Sequence, residues 1–178
     1  EDSPIDIFRA QIDTNLMGVV NVTKAALPYL RKQGSGHIFQ VSSIGGRIGT
    51  PGFSAYQAAK WAVGGFSSVL SQEVAPFGIK VTVLEPGAMP TDWATTALAD
   101  KAKISEPYVP HVKPVYDMFT TFIGHVGADL DKIAQIIVKV YETKAEEVPL
   151  KLLIGGDAVD NGAKVAKVTK ETDDKWRE

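Results

Sequence analysis

The sequence contains no cysteine. That removes a disulfide framework, a zinc–thiolate site and a cysteine nucleophile together, and it suits an intracellular, cytoplasmic protein. No apolar run approaches the roughly 20 residues that a membrane helix needs. An excess of charge of one sign is missing too: 19 basic residues stand against 21 acidic ones, a net charge of −2. Such a balance leaves no electrostatic footprint for nucleic acid or an anionic membrane surface. His37, His111 and His125 have no carboxylate or cysteine at ligand spacing, so they outline no metal site and read as ordinary surface or loop histidines. Glu1 to Asp6 are polar and acidic, with no starting methionine and no visible signal or transit pattern. The chain is therefore expected to be a piece of a longer one.

What is present suits one globular domain. At 178 residues, 44% hydrophobic and 22% charged, the chain can bury a real core. Apolar residues recur at helical spacing from Ile5 to about Lys32, through Phe8, Ile12, Leu16, Val19 and Ala26. Pro28 sits late in that segment and can kink it, and Gly34-Ser35-Gly36 stops it. His37 to Val41 reads as a strand buried on both faces. Gly45 to Gly52 is a loop, and a second helix runs from about Ser54 to Ala75 with Trp61 packed in it. Lys80 to Leu84 is another buried strand, broken by Pro86-Gly87. Thr91 to Gly127 mixes short helical patterns with prolines and glycines. Asp129 caps a helix from about Leu130 to Thr143. Leu150 to Ile154 is a third strand, and a charged amphipathic helix follows from Asp157. Helices alternating with strands indicate an α/β fold, a doubly wound parallel sheet with right-handed crossovers. In such sheets ligands bind beyond the carboxyl ends of the strands, where this chain places Ser42-Ser43, Glu85-Pro86-Gly87 and Gly155-Gly156-Asp157.

Tyr56 and Lys60 are four apart near a helix start, one turn apart on one face. A free phenol, with a pKa of about 10, exchanges protons poorly near neutrality. A nearby ammonium favours the phenolate and moves it toward the working range. Ser43, at the end of the first strand, can hold a carbonyl oxygen at the same crevice. Tyrosine, lysine and serine hydroxyl together suffice to interconvert a ketone and an alcohol. A Tyr-x-x-x-Lys pair alone is weak, and its ordinary meaning is a partly buried tyrosine beside a solvated lysine. Its position between a strand ending in Ser-Ser and one ending in Pro-Gly is what gives it weight.

Val41-Ser42-Ser43-Ile44-Gly45-Gly46, Tyr56-Gln57-Ala58-Ala59-Lys60 and Glu85-Pro86-Gly87-Ala88-Met89-Pro90-Thr91 resemble consecutive motifs of the short-chain dehydrogenase/reductase family. Asn15-Leu16-Met17-Gly18 resembles its asparagine motif. The resemblance implies an NAD(P)-dependent oxidoreductase acting on an alcohol, ketone or aldehyde, on a Rossmann-like sheet. It gives Ser43 the substrate carbonyl, Tyr56 the proton, and Lys60 the nicotinamide ribose and the tuning of the tyrosine. Asn15 would distort the long helix and hold a water linking Lys60 to solvent. Pro86, Gly87 and Thr91 would shape the nicotinamide pocket, with the Met89-Pro90 pair a departure from the commonest relatives. Ser42 would be structural. Residues 92–126 would form a substrate lid carrying Trp93, Tyr108, Val109, Val112, Tyr116, Met118, Phe119 and Phe122, which implies an apolar small-molecule substrate. Helices 5–32 and 54–75 would pack a homo-oligomer.

A complete member of that family opens with a strand and a glycine-rich turn that receives the pyrophosphate. No such fingerprint occurs between Glu1 and Glu178, so the domain, residues 1–178, is expected to be incomplete, with the first strands of the sheet missing. The residue that selects NAD or NADP would lie in the same missing portion. Halohydrin dehalogenases share the scaffold but carry arginine where Lys60 stands. Extended epimerases and dehydratases carry a larger C-terminal domain, whereas this chain closes on a strand and a helix. The remaining alternative is a truncated, catalytically impaired interaction module.

Overall fold

The computed structural model describes residues 1–93, 97, 103–122 and 127–177. The first helical stretch is α1 (Ile5–Ile12), a single π-helical turn (Asp13–Met17), then α2 (Gly18–Gln33). One helix is thus expected and two are found, because the π turn inserts an extra residue into the hydrogen-bond ladder. Pro28 does not end α2, which runs on to Gly34, whose N–H bonds the carbonyls of Leu30 and Arg31. Strand β1 (Gly36–Val41) leads through a short 3₁₀ turn (Ile44–Gly46) to α3 (Ser54–Val74), and β2 (Ile79–Pro86) follows.

The irregular stretch differs most from its expected form. Helix α4 (Val109–Phe122) forms there despite Pro110 and Pro114. Pro110 sits in the first turn, where a missing N–H costs little, and Pro114 lies inside the helix and removes one bond. Residues 94–96, 98–102 and 123–126 of the expected lid, with His125, lie outside the described residues, as does the side chain of Phe122. Helix α5 (Leu130–Glu142) begins where expected, with Asp129 Oδ1 accepting from the N–H groups of Asp131 and Lys132. Strand β3 (Lys151–Ile154) and helix α6 (Gly156–Lys175) close the chain.

Among the described residues the three strands form one parallel sheet in the order β1-β2-β3, flanked by helices, so the doubly wound parallel design is present in part. Central β2 is buried at nearly every position, as a strand paired on both sides and covered by helices should be. Its Ile79 and Val81 join Leu70 and Val74 of α3 in the core, with Leu27, Leu30, Ile38, Phe66 and Leu150 packed around them. Each fully buried side chain of this size contributes about 1.5–3 kcal/mol. Edge strand β1 pairs only with β2 among the described residues, and Val41 at its end is exposed.

Two minor expectations are corrected. Trp61 is 54% exposed on the outer side of α3 rather than packed. His37 is no ordinary surface histidine: its Nε2 lies 2.9 Å from Thr82 Oγ1. Thr82 spends its hydroxyl hydrogen on Pro149 O at 2.8 Å, so His37 must be the donor between them. Burial, with some help from the Lys80 charge, holds the His37 imidazole down at about 4. No helix among the described residues is long and apolar enough to cross a membrane.

Candidate active site

The sheet register builds the site. Val41 of β1 lies beside Leu84 of β2, and the ladder continues one residue further through Ser42 N to Leu84 O at 2.9 Å. Ser43 therefore emerges next to Glu85-Pro86-Gly87. Pro86 in turn lies beside Ile154 of β3, which brings the Pro-Gly turn to the start of α6. The carboxyl ends of all three strands meet at one edge.

Helix α3 is stitched to the end of β1 by two side chains. Buried Ser42 donates its hydroxyl to Lys60 O at 3.0 Å, and Lys60 Nζ donates to Val41 O at 3.1 Å. Gly46 allows this approach. A Cβ there would lie 2.8 Å from Ser42 Oγ and 3.0 Å from Lys60 O. Gln57 closes the loop between β1 and α3 by accepting from Thr50 N at 2.7 Å and donating to Thr50 Oγ1 at 2.9 Å.

Ser43 and Tyr56 meet within this frame. Ser43 Oγ accepts from Gly45 N at 3.0 Å, and its side chain hydrogen-bonds Tyr56. Burial raises the Tyr56 phenol above its ordinary value and the Ser43 bond draws it back down. Burial also pushes the Lys60 ammonium below the usual lysine value. The ammonium lies over the Tyr56 ring, 5.6 Å from its centroid, with a hydrogen committed to Val41 O. Burial is thus the largest influence on the Tyr56 phenol, and Ser43 opposes it.

The other expected residues fall into two groups. Pro86 ends β2, Gly87 N donates to Ile154 O at 2.9 Å, and Ala88 N donates to Asp157 Oδ2 at 2.8 Å. A side chain on Gly87 would collide with the Asp157 carboxylate. Thr91 sits in the turn beyond, with its N–H on Met89 O at 2.9 Å. Asn15 lies in the π turn, which packs against α3, but its amide donates along its own helix to Gln11 Oε1 at 2.9 Å.

Three contacts join residues that the sequence does not pair, although it places Glu85 and Asp157 at the carboxyl edge. Asp157 reaches across 69 residues to the Pro-Gly turn. Glu85, 2% exposed, meets Arg47 Nη2 at 2.5 Å, an ionic contact not aligned as a hydrogen bond. Phe53, just before α3, is buried and gathers Trp93, Tyr116 and Phe119 around itself with ring centroids 6.0, 5.8 and 4.9 Å away. Of the expected lid residues, Trp93, Tyr116 and Phe119 converge there, while Tyr108 and Met118 are exposed. Trp93 also stands 5.0 Å from the Tyr56 ring.

The family profile described as short chain dehydrogenase matches residues 1–102. Oxidoreductase BOA17 of Botryotinia fuckeliana is 56% identical over all 178 residues, which cover 64% of that protein. A 3-ketodihydrosphingosine reductase of Bacteroides thetaiotaomicron is 47% identical over 96 residues, 54% of this chain and 34% of the relative. A solved short-chain dehydrogenase of Streptomyces avermitilis superposes with a TM-score of 0.83 at 33% identity, over 99% of this chain and 62% of that one. The chain thus spans less than two-thirds of each of these proteins. A parallel sheet with Ser43, Tyr56 and Lys60 at its carboxyl edge, together with these matches, leads to one assignment: the chain belongs to the short-chain dehydrogenase family.

Proposed function

We propose that the chain carries the proton-transfer machinery of an NAD(P)-dependent oxidoreductase that interconverts an alcohol and a ketone or aldehyde. The observation behind this reading is the convergence of Ser43 and Tyr56 beside Gly45, with buried Lys60 one helical turn along and its ammonium 5.6 Å from the Tyr56 ring centroid. Tyr56 gives its proton to the substrate oxygen in reduction and takes one in oxidation. Ser43, whose oxygen already accepts from Gly45 N, donates its hydroxyl hydrogen to the carbonyl, which it holds and polarises. A relative whose name describes a 3-keto reductase agrees with carbonyl chemistry.

The donor set suits a nicotinamide nucleotide, NAD or NADP. Lys60 carries three N–H groups and donates one to Val41 O, so two remain for a ribose diol. Gly87 and Ala88, fixed by Ile154 and Asp157, with Pro86 and Thr91 beside them, form a firm wall for a flat ring. A bound nicotinamide supplies or accepts the hydride equivalent at the carbonyl carbon. Asn15 serves here as a positioning residue on the helix packed against α3. The aromatic group over Tyr56 favours an apolar substrate.

The exposed apolar residues Val22, Tyr29, Trp61 and Val69 on α2 and α3 support homo-oligomer formation through those helices. They are also the observation that favours the alternative, an interaction module without catalysis. Cofactor fluorescence separates the two. Binding of NADH or NADPH, with turnover lost and binding kept in Tyr56→Phe, is expected of the enzyme, whereas an interaction module binds neither nucleotide.

A further inference from the structure

We infer that the outer face of Trp93 is a stacking platform for a flat aromatic ring borne by the substrate, which makes the preferred substrate an aryl ketone or the matching arylcarbinol. The inference rests on the carbonyl chemistry proposed for Tyr56 and deepens it by naming the group beside the carbonyl.

The platform is built and fixed. Phe53 is 8% exposed and directly precedes the helix that carries Tyr56, so the rings packed on it rest against one fixed side chain. Trp93 leans on Phe53 at 6.0 Å and on Phe119 at 6.3 Å, tilted 27° and 69° to them. Helix α4 is tied down separately, with Tyr116 Oη donating to Gly52 O at 3.2 Å. Upstream of it, Ser105 bonds Asp2 through its N–H at 2.8 Å and its hydroxyl at 2.5 Å.

Distances decide where a ring can go. To slide between two aromatic faces, a ring needs a carbon contact on each side, so the faces must stand about 7–8 Å apart. The centroid separations of Trp93 from Tyr56, Phe53 and Phe119 are 5.0, 6.0 and 6.3 Å, all too small. The surface left is the part of Trp93 that is open, 39% of the residue. Because Trp93 is a ring neighbour of Tyr56 at 5.0 Å, a ring stacked on its open part keeps a directly attached carbonyl in the neighbourhood of the tyrosine. A few polar points against an apolar wall are what orient a small ligand. Saturated chains gain contact with Trp93 but not the added attraction of aligned rings.

The test uses saturation-transfer NMR with 2-acetonaphthone and, as the ring-free probe, 2-octanone, alongside kcat/KM for both ketones. The naphthyl protons are expected to receive the strongest saturation, to lose it in Trp93→Ala and to keep it in Trp93→Phe. The variant should lower kcat/KM for the aryl ketone by about 10- to 100-fold, from lost ring stacking and apolar contact, and that for 2-octanone by about threefold or less. Trp93→Phe, which keeps an aromatic face, controls for a folding defect. Naphthyl saturation that is absent, or that persists in Trp93→Ala, overturns the inference even if both ketones are reduced. Saturation that depends on Trp93 without turnover of either ketone upholds the platform and instead sinks the proposed reaction.

Discussion

The two walls of the site are built differently. On one side, the end of β1 and the start of α3 are joined by polar bonds to backbone: Ser42 to Lys60 O, Lys60 to Val41 O, and Gly45 N to Ser43. On the other, the segment around Trp93 and α4 is held largely by ring contacts that converge on Phe53. Directional bonds fix atoms to a few tenths of an ångström, as proton transfer demands. Aromatic packing fixes a surface while tolerating a change of shape. The proposed proton transfer and the proposed choice of substrate would thus rest on different physics.

The sharpest break in this comparison is Tyr56→Phe. It removes the proposed proton donor and leaves the ring, so turnover should fall by about 10²- to 10⁴-fold with nucleotide affinity little changed; stopped-flow kinetics and fluorescence titration check the two halves.

Next come paired variants, one on each wall. Phe53→Ala empties a buried ring site and should cost about 3 kcal/mol of stability in chemical denaturation. It should raise KM more than it lowers kcat, because only the substrate wall loosens. Gly46→Ala forces a methyl within 2.8 Å of Ser42 Oγ and 3.0 Å of Lys60 O. It should cost about 1–3 kcal/mol and do the reverse, lowering kcat more than it raises KM. The same KM–kcat pattern in both variants would erase the distinction between the walls.

The smallest effect lies away from the site. His37 drops from 6.5 to about 4 on folding, mainly through burial. Between those values the unfolded chain binds the proton and the folded chain resists it, so stability is complete above pH 6.5 and declines as pH falls toward 4. Because the ring is only half-buried, the loss should be about 1–2 kcal/mol, well short of the full linkage value. Denaturant melts at pH 7 and 4.5 should show it in the parent, and His37→Asn should reduce it.

The same division explains what the sequence revealed. Strands β1 and β2 and helix α3 follow from local apolar patterns, and Ser43, Tyr56 and Lys60 from short spacing on those elements. Helix α4 was obscured by Pro110 and Pro114, both tolerated once the helix packs. Phe53, between the Gly45–Gly52 loop and the helix from Ser54, has no local signal, since its partners Trp93, Tyr116 and Phe119 lie far along the chain. Asp157 and the Arg47–Glu85 pair were hidden for the same reason: they couple elements that only the sheet brings together. Spacing places Lys60 beside Tyr56, and what spacing cannot show is the Val41 carbonyl that accepts one of its ammonium hydrogens.

The central claim is that the Ser43 hydroxyl acts on Tyr56 and holds down a phenol that burial drives up. It is tested most directly by NMR titration of protein labelled at tyrosine Cζ, with Tyr56→Phe identifying the resonance. The account predicts a Tyr56 pKa above the free value of about 10, and a higher one still in Ser43→Ala. A pKa that stays put or falls in Ser43→Ala would contradict it.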